Sequence, residues 1–153
     1  MTPDENLNRL GLTLPPAPAP VGSYVPAVRT GNLVFVSGQL PMRDGELLAT
    51  GKVGAEVSLE EAQACARQAA LNALAVAAEA AGGLGAIARI VRLTGHVASA
   101  PGFTDQAAVM NAASDLVAEV FGDAGRHSRA ALGAAGLPLG APLELEMIVE
   151  VRA

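Results

Sequence analysis

Arg129 and Glu144 are the two side chains of this sequence whose types and setting suit chemistry on a small anion. Each sits among small or apolar residues in a β-rich run near the C-terminus, 128–135 and 143–151. A guanidinium is planar and always charged, and it can hold a carboxylate through two parallel hydrogen bonds. A carboxylate near a reacting carbon can orient or deprotonate water. The ordinary alternative is an exposed ion pair across a hairpin, and register argues against it. If the two strands form a hairpin that turns near Leu139–Gly140, Arg129 falls opposite about Glu150 and Glu144 opposite about Ala135, roughly 20 Å apart. The two side chains then share a face without touching. If both serve one ligand, they must come from two copies of the chain.

Other constellations are weaker. His96, His127 and Cys65 do not form a ligand-spaced cluster, so no metal is expected. Gly83-Leu-Gly85-Ala-Ile-Ala88 mimics a dinucleotide fingerprint, but it follows a helical segment and precedes a strand, the reverse of the required order. No cofactor is therefore expected. His127 and Ser128 are neighbours without a triad, and no serine stands in a G-x-S-x-G elbow. Cys65 lies inside an alanine-rich helical run and reads as a buried, inert thiol.

The elements that must position Arg129 and Glu144 follow from pattern. Pro15-Pro-Ala-Pro-Ala-Pro20 ends an N-terminal arm, residues 1–20, expected to be extended; residues 21–153 read as one domain. Residues 24–29 have extended character, Gly31-Asn32 marks a turn, and Leu33–Val36 is a short strand stopped by Ser37-Gly38-Gln39-Leu40-Pro41. Asp44-Gly45 signals a hairpin, with a weak strand after it at 46–49. Ser58 and Glu61 form a capping box that opens a helix over 59–81, closed by Gly82-Gly83. Its small apolar residues at 62, 66, 69, 73, 77 and 80 trace one face, and polar positions 60, 61, 67, 68, 72 and 79 fall mostly on the other. Residues 88–98 form a strand, 105–121 a helix capped by Thr104 or Asp105, and the two C-terminal strands complete the order β-β-β-α-β-α-β-β. This is an α+β pattern, a mixed sheet with two helices on one face.

Composition narrows the function classes. The 153 residues are 51% hydrophobic and 16% charged, which excludes a disordered chain, and the single cysteine excludes a disulfide scaffold. A lone thiol suits a reducing cytoplasm, the expected location. The acidic start is unlike a secretory signal, and no apolar run is long enough to span a membrane. A net charge of −5 with one lysine argues against nucleic-acid binding. Aromatic residues are scarce, with no Trp, one Tyr and three Phe. A domain filled with alanine must pack its backbones closely or bury further surface by association.

Three segments together resemble the RidA/YjgF family of reactive-intermediate deaminases, also known as L-PSP endoribonucleases. They are Gly22-Ser23-Tyr24 with Val34-Phe-Val-Ser37-Gly38-Gln39-Leu-Pro41; Val109-Met-Asn111; and Ser128-Arg129 through Leu137-Pro138 to Leu143-Glu144-Leu-Glu146. The resemblance spans roughly residues 20–151. It implies a chorismate-mutase-like fold, a homotrimer and ligand clefts between subunits. By resemblance, Arg129 grips the substrate carboxylate and Glu144 attends the reacting water. Tyr24, Ser37 and Gly38 line the cleft, and Asn111 contributes from a neighbouring subunit. Ala131 stands where the best-known members carry cysteine, which leaves a backbone role there and no thiol. Asn111-Ala-Ala-Ser114 lacks the aromatic common in those members, so the chain resembles a divergent subgroup. The reaction implied is hydrolysis of 2-imino acids or their enamines to 2-oxo acids and ammonia. The competing readings are a non-catalytic protein that binds small carboxylates and an RNA-cleaving translation inhibitor, the latter disfavoured by charge.

Overall fold

The computed structural model describes residues 1–153. Ten elements run in the order α1 (Pro3–Arg9), β1 (Ala27–Thr30), β2 (Leu33–Gln39), β3 (Met42–Arg43), β4 (Glu46–Leu47), α2 (Leu59–Ala81), β5 (Ile87–Ala98), α3 (Gln106–Phe121), β6 (Ser128–Ala134) and β7 (Leu143–Val151). The main sheet has the order β1-β2-β7-β5-β6, antiparallel except for the parallel pair β5–β6. The sheet is therefore mixed, and α2 and α3 pack together on one face of it. A parallel pair needs a crossover, and α3 supplies it between β5 and β6.

The hairpin expected between the last two strands is not formed. β5 lies between them, and residues 135–142 carry the chain past it. Arg129 pairs with Leu93 of β5, while Glu144 pairs with His96 of β5. Leu93 and His96 are three positions apart, an odd number, so Arg129 and Glu144 point to opposite faces of the sheet rather than sharing one. Leu93 and Met147 are fully buried beneath the helices, which fixes Arg129 on the helix side and Glu144 on the open side.

Local signals placed α2 well. Ser58 and Glu61 make the reciprocal capping box, and Gly82 closes the helix with φ 92°. Ala62, Ala66, Ala69, Ala73 and Ala77 are buried, whereas Ala80 is exposed. Two polar residues expected on the outer face are buried instead. The Gln68 side chain donates to Asn72 Oδ1 at 3.0 Å, and Asn72 Nδ2 donates to the carbonyls of Leu40 and Met42 at 3.0 and 2.9 Å. Asn72, with no exposed surface, thus ties the β2–β3 turn to the helix. β2 also runs on through Ser37 and Gly38 to Gln39, by an irregularity in its register against β7 between Val36 and Gln39. The Asp44-Gly45 turn forms as its dipeptide suggests, with φ 54° and 81°, both positive as a two-residue primed turn requires.

The N-terminal arm is not extended throughout. Thr2 and Glu5 form a second capping box with proline in the first turn, and α1 follows. Leu7 enters the core, and Asn6 Nδ2 donates to Val120 O at 2.8 Å. Leu10, Leu12, Leu14 and Ala17 then pack along the core margin. Asn72→Ala should lower stability by about 2 kcal/mol, because it removes the side-chain bonds to the Leu40 and Met42 carbonyls and leaves buried Gln68 without its acceptor; urea denaturation would check this, and an unshifted midpoint would count against it.

Candidate functional site

The cleft on the open side of the sheet is lined by Val21, Tyr24, Ser37, Gly38, Pro138, Glu144 and Glu146. Four residues singled out in the sequence therefore meet there: Tyr24, Ser37, Gly38 and Glu144. Their positions have local causes. Ser37 Oγ donates to Val25 O at 2.7 Å, and Ser37 N donates to Pro26 O at 2.9 Å, which binds the segment carrying Tyr24 to β2. Tyr24 is 45% exposed, and its hydroxyl accepts from Val21 N. At Gly38 a Cβ would stand 2.8 Å from both Cδ and Oε2 of Glu144. Glycine is needed there for close approach, so that the carboxylate can lie against the backbone. Asn72 supports this wall from behind, since it holds Leu40 and Met42 just beyond Gly38.

Glu144 is half-buried, and burial raises its pKa above the usual carboxylate value; His96 lowers it and Glu146 raises it, each by less than burial does. His96 Nε2 lies 2.5 Å from Glu146 Oε2, with about a third of the histidine side chain and half of the glutamate exposed (32% and 51%). Neither residue stood out in the sequence as part of this cleft. The β7 alternation that put Glu144 on one face put Glu146 on the same face, so that signal was present.

Arg129, Asn111 and Ala131 form a second group elsewhere. Arg129 Nη1 donates to Asn111 Oδ1 at 2.9 Å and to Ser114 Oγ at 3.1 Å, both on α3. Ala131 is two residues further along β6, on the same face, and packs against the core. His127 bonds both Ser114 and the Gly125 carbonyl. Counted along and across the strands, the Arg129 and Glu144 backbones are roughly 14 Å apart. One chain thus carries two separate groups, Glu144 with Tyr24 on one face of the sheet and Arg129 on the other.

The family model described as "YjgF/chorismate mutase-like, putative endoribonuclease" matches residues 4–150. This chain belongs to the YjgF/chorismate-mutase-like family. It is 46% identical over 148 residues to Protein TCP17 of Trypanosoma cruzi, covering 96% of this chain and 92% of that protein. It is 32% identical over 143 residues to 2-iminobutanoate/2-iminopropanoate deaminase of Dermatophagoides farinae, covering 92% and 95%. The crystal structure of the protein Atu1372, of unknown function, from Agrobacterium tumefaciens superposes with a TM-score of 0.89 at 45% identity, over 99% of this chain and 93% of that one. The family and its fold, expected from the three segments, are thus established, and family membership puts this chain beside imine deaminases. No helix is long and apolar enough to cross a membrane.

The raised pKa of Glu144 has a sign that can be tested. Its folded-state value exceeds its unfolded value, so its favourable contribution is complete below the unfolded carboxylate range and is lost as pH rises through the folded value. Glu144→Gln escapes that loss. The melting temperature of the variant relative to the wild type should therefore become more positive between about pH 4 and about pH 7. Scanning calorimetry across that range would read it, and a difference independent of pH would refute the assignment.

Proposed function

We propose that the protein is a deaminase of 2-imino acids and their enamines, acting in clefts built where two subunits of a homotrimer meet. The observation that carries this reading is the division of the site: Arg129 and Glu144 stand on opposite faces of one sheet, each among polar groups that suit half of the reaction. In the assembled cleft, Arg129 of one subunit holds the substrate carboxylate, and Glu144 of the next faces the imine carbon. An enamine first tautomerises to the imine. Water adds to the C=N carbon, and its proton passes to Glu144, whose pKa is already raised. Glu144 returns this proton to the carbinolamine nitrogen, which has already taken one from solvent on water addition. The C–N bond then breaks with its electron pair leaving on nitrogen, the hydroxyl O–H gives its proton to Glu144 and its electron pair to the new C=O, and the 2-oxo acid and ammonia separate. Because the imine is electrophilic, positioning supplies much of what is required. Tyr24, Ser37 and Gly38 form the wall beside the reacting carbon, and Asn111 and Ala131 belong to the arginine half. Similarity to the mite deaminase over nearly the whole chain supports the same reading.

The open face supports association. Phe35 and Leu132, 42% and 52% exposed in the isolated chain, both stand on that face, where a neighbouring subunit would cover them. Cleavage of RNA finds no electrostatic support in a chain of net charge −5 with a single lysine.

In an assay that generates 2-iminopropanoate in place, the wild type should release pyruvate faster than buffer, whereas Arg129→Ala and Glu144→Gln should not. The two inactive variants, unfolded together and refolded as mixed oligomers, should regain about a quarter of wild-type activity, because each cleft draws one residue from each of two subunits. No recovery, with mixed oligomers verified, would exclude a shared cleft. Binding of 2-oxobutanoate without turnover would replace the enzyme with a carboxylate-binding protein.

A further inference from the structure

We infer that Ser114 and His127 are positioning residues for Arg129, and that they commit the Nη2–Nε edge of its guanidinium to the ligand carboxylate. The inference rests on the carboxylate-binding role proposed for Arg129. His127 Nδ1 lies 2.6 Å from the carbonyl oxygen of Gly125. A carbonyl only accepts, so Nδ1 carries a hydrogen, and in the tautomer that this selects Nε2 is the acceptor. Ser114 Oγ is 2.8 Å from that Nε2, so the hydroxyl hydrogen points at the imidazole. The lone pairs of Oγ are thereby turned to Arg129 Nη1, which donates to it at 3.1 Å. The other hydrogen of Nη1 goes to Asn111 Oδ1. The chain from Gly125 through His127 and Ser114 to Arg129 therefore has a donor and an acceptor at every link.

Two consequences follow for the arginine. Nη1 has both hydrogens engaged, by acceptors three positions apart on one face of α3, which fixes the guanidinium plane. Nη2 and Nε make no hydrogen bond within the chain, so the edge they share holds two parallel donors for a carboxylate. An arginine held in this way has lost its rotamer freedom before the ligand arrives, and binding does not have to supply that cost. Ser114 and His127 are themselves only half-buried, and neither belongs to the apolar core. Their side-chain bonds run to Arg129, to each other and to the Gly125 carbonyl.

The experiment compares full-length wild type, Ser114→Ala, Ser114→Thr, His127→Ala and Arg129→Ala by calorimetric titration with 2-oxobutanoate and by kinetics on 2-iminopropanoate. Alanine is a good helix former, so the helix around position 114 persists in Ser114→Ala. Ser114→Ala and His127→Ala should each weaken 2-oxobutanoate binding and raise KM about tenfold. kcat should stay within about twofold of wild type, the pattern of a lost binding contact. Ser114→Thr, which restores the hydroxyl, should recover most of the affinity. Wild-type affinity in both alanine variants, alongside lost binding in Arg129→Ala, would overturn the positioning role and leave the Arg129 reading standing. Unchanged binding in Arg129→Ala, or no binding by the wild type, would overturn both. A fall in kcat at constant KM would also overturn the inference, because it would place the pair in the chemical step.

Discussion

The position of β5 between β6 and β7 is the constraint on which the site depends. Its parallel pairing with β6 obliges the chain to cross over, and the crossover helix is α3. The first residues of β6 must then emerge beside α3, which is why Arg129 finds Asn111 and Ser114 there. Antiparallel pairing of β5 with β7 sets the second register, and the odd offset between Leu93 and His96 sends Arg129 and Glu144 to opposite faces. Had β6 and β7 paired directly in the expected hairpin register, one face would carry both residues.

Scarcity of aromatic residues follows from how the layers pack. The buried face of α2 is mostly alanine, so the helix axis lies close to β2 and β7, and bulk comes from leucine, isoleucine, valine and methionine on the sheet and α3. Gly95 shows how tight this is, because a Cβ there would overlap the side chain of Met110. No phenylalanine is fully buried. Phe103 and Phe121 flank the core, and Phe35 stands on the open face with Leu132. Phe35 and Leu132 therefore stand on the face that the proposed subunit contact would cover.

Much of the fold was legible because local signals and burial agreed. The Ser58 box, the alanine stripe, the Asp44-Gly45 turn and the alternation of β7 each depend on neighbours in sequence, and each formed. Strand order was not legible, since nothing local to β6 or β7 records that a distant strand will come between them. The same limit hid the roles of Gln68 and Asn72: polar residues mid-helix read as exposed unless the carbonyls they will serve are known. By contrast, the Thr2–Glu5 box is local and legible in the sequence, as the Ser58 box is. At the site, residue types pointed to Arg129 and Glu144, whereas Gly38 came only with the family resemblance. His127 and Ser114 were missed as partners of the arginine. Their spacings were available, with His127 just before the strand that carries Arg129 and Ser114 three after Asn111 on one helix.

The chain contains no tryptophan, and its single tyrosine lines the cleft beside Glu144. Its near-ultraviolet emission therefore arises chiefly from one ring, at the place where ligand and neighbouring subunit are proposed to meet. Quenching by the nearby carboxylate, by a bound oxo acid or by burial on assembly would alter that one signal without a background from the core. The protein thus carries an intrinsic optical probe of its own pocket, with no label and no substitution required.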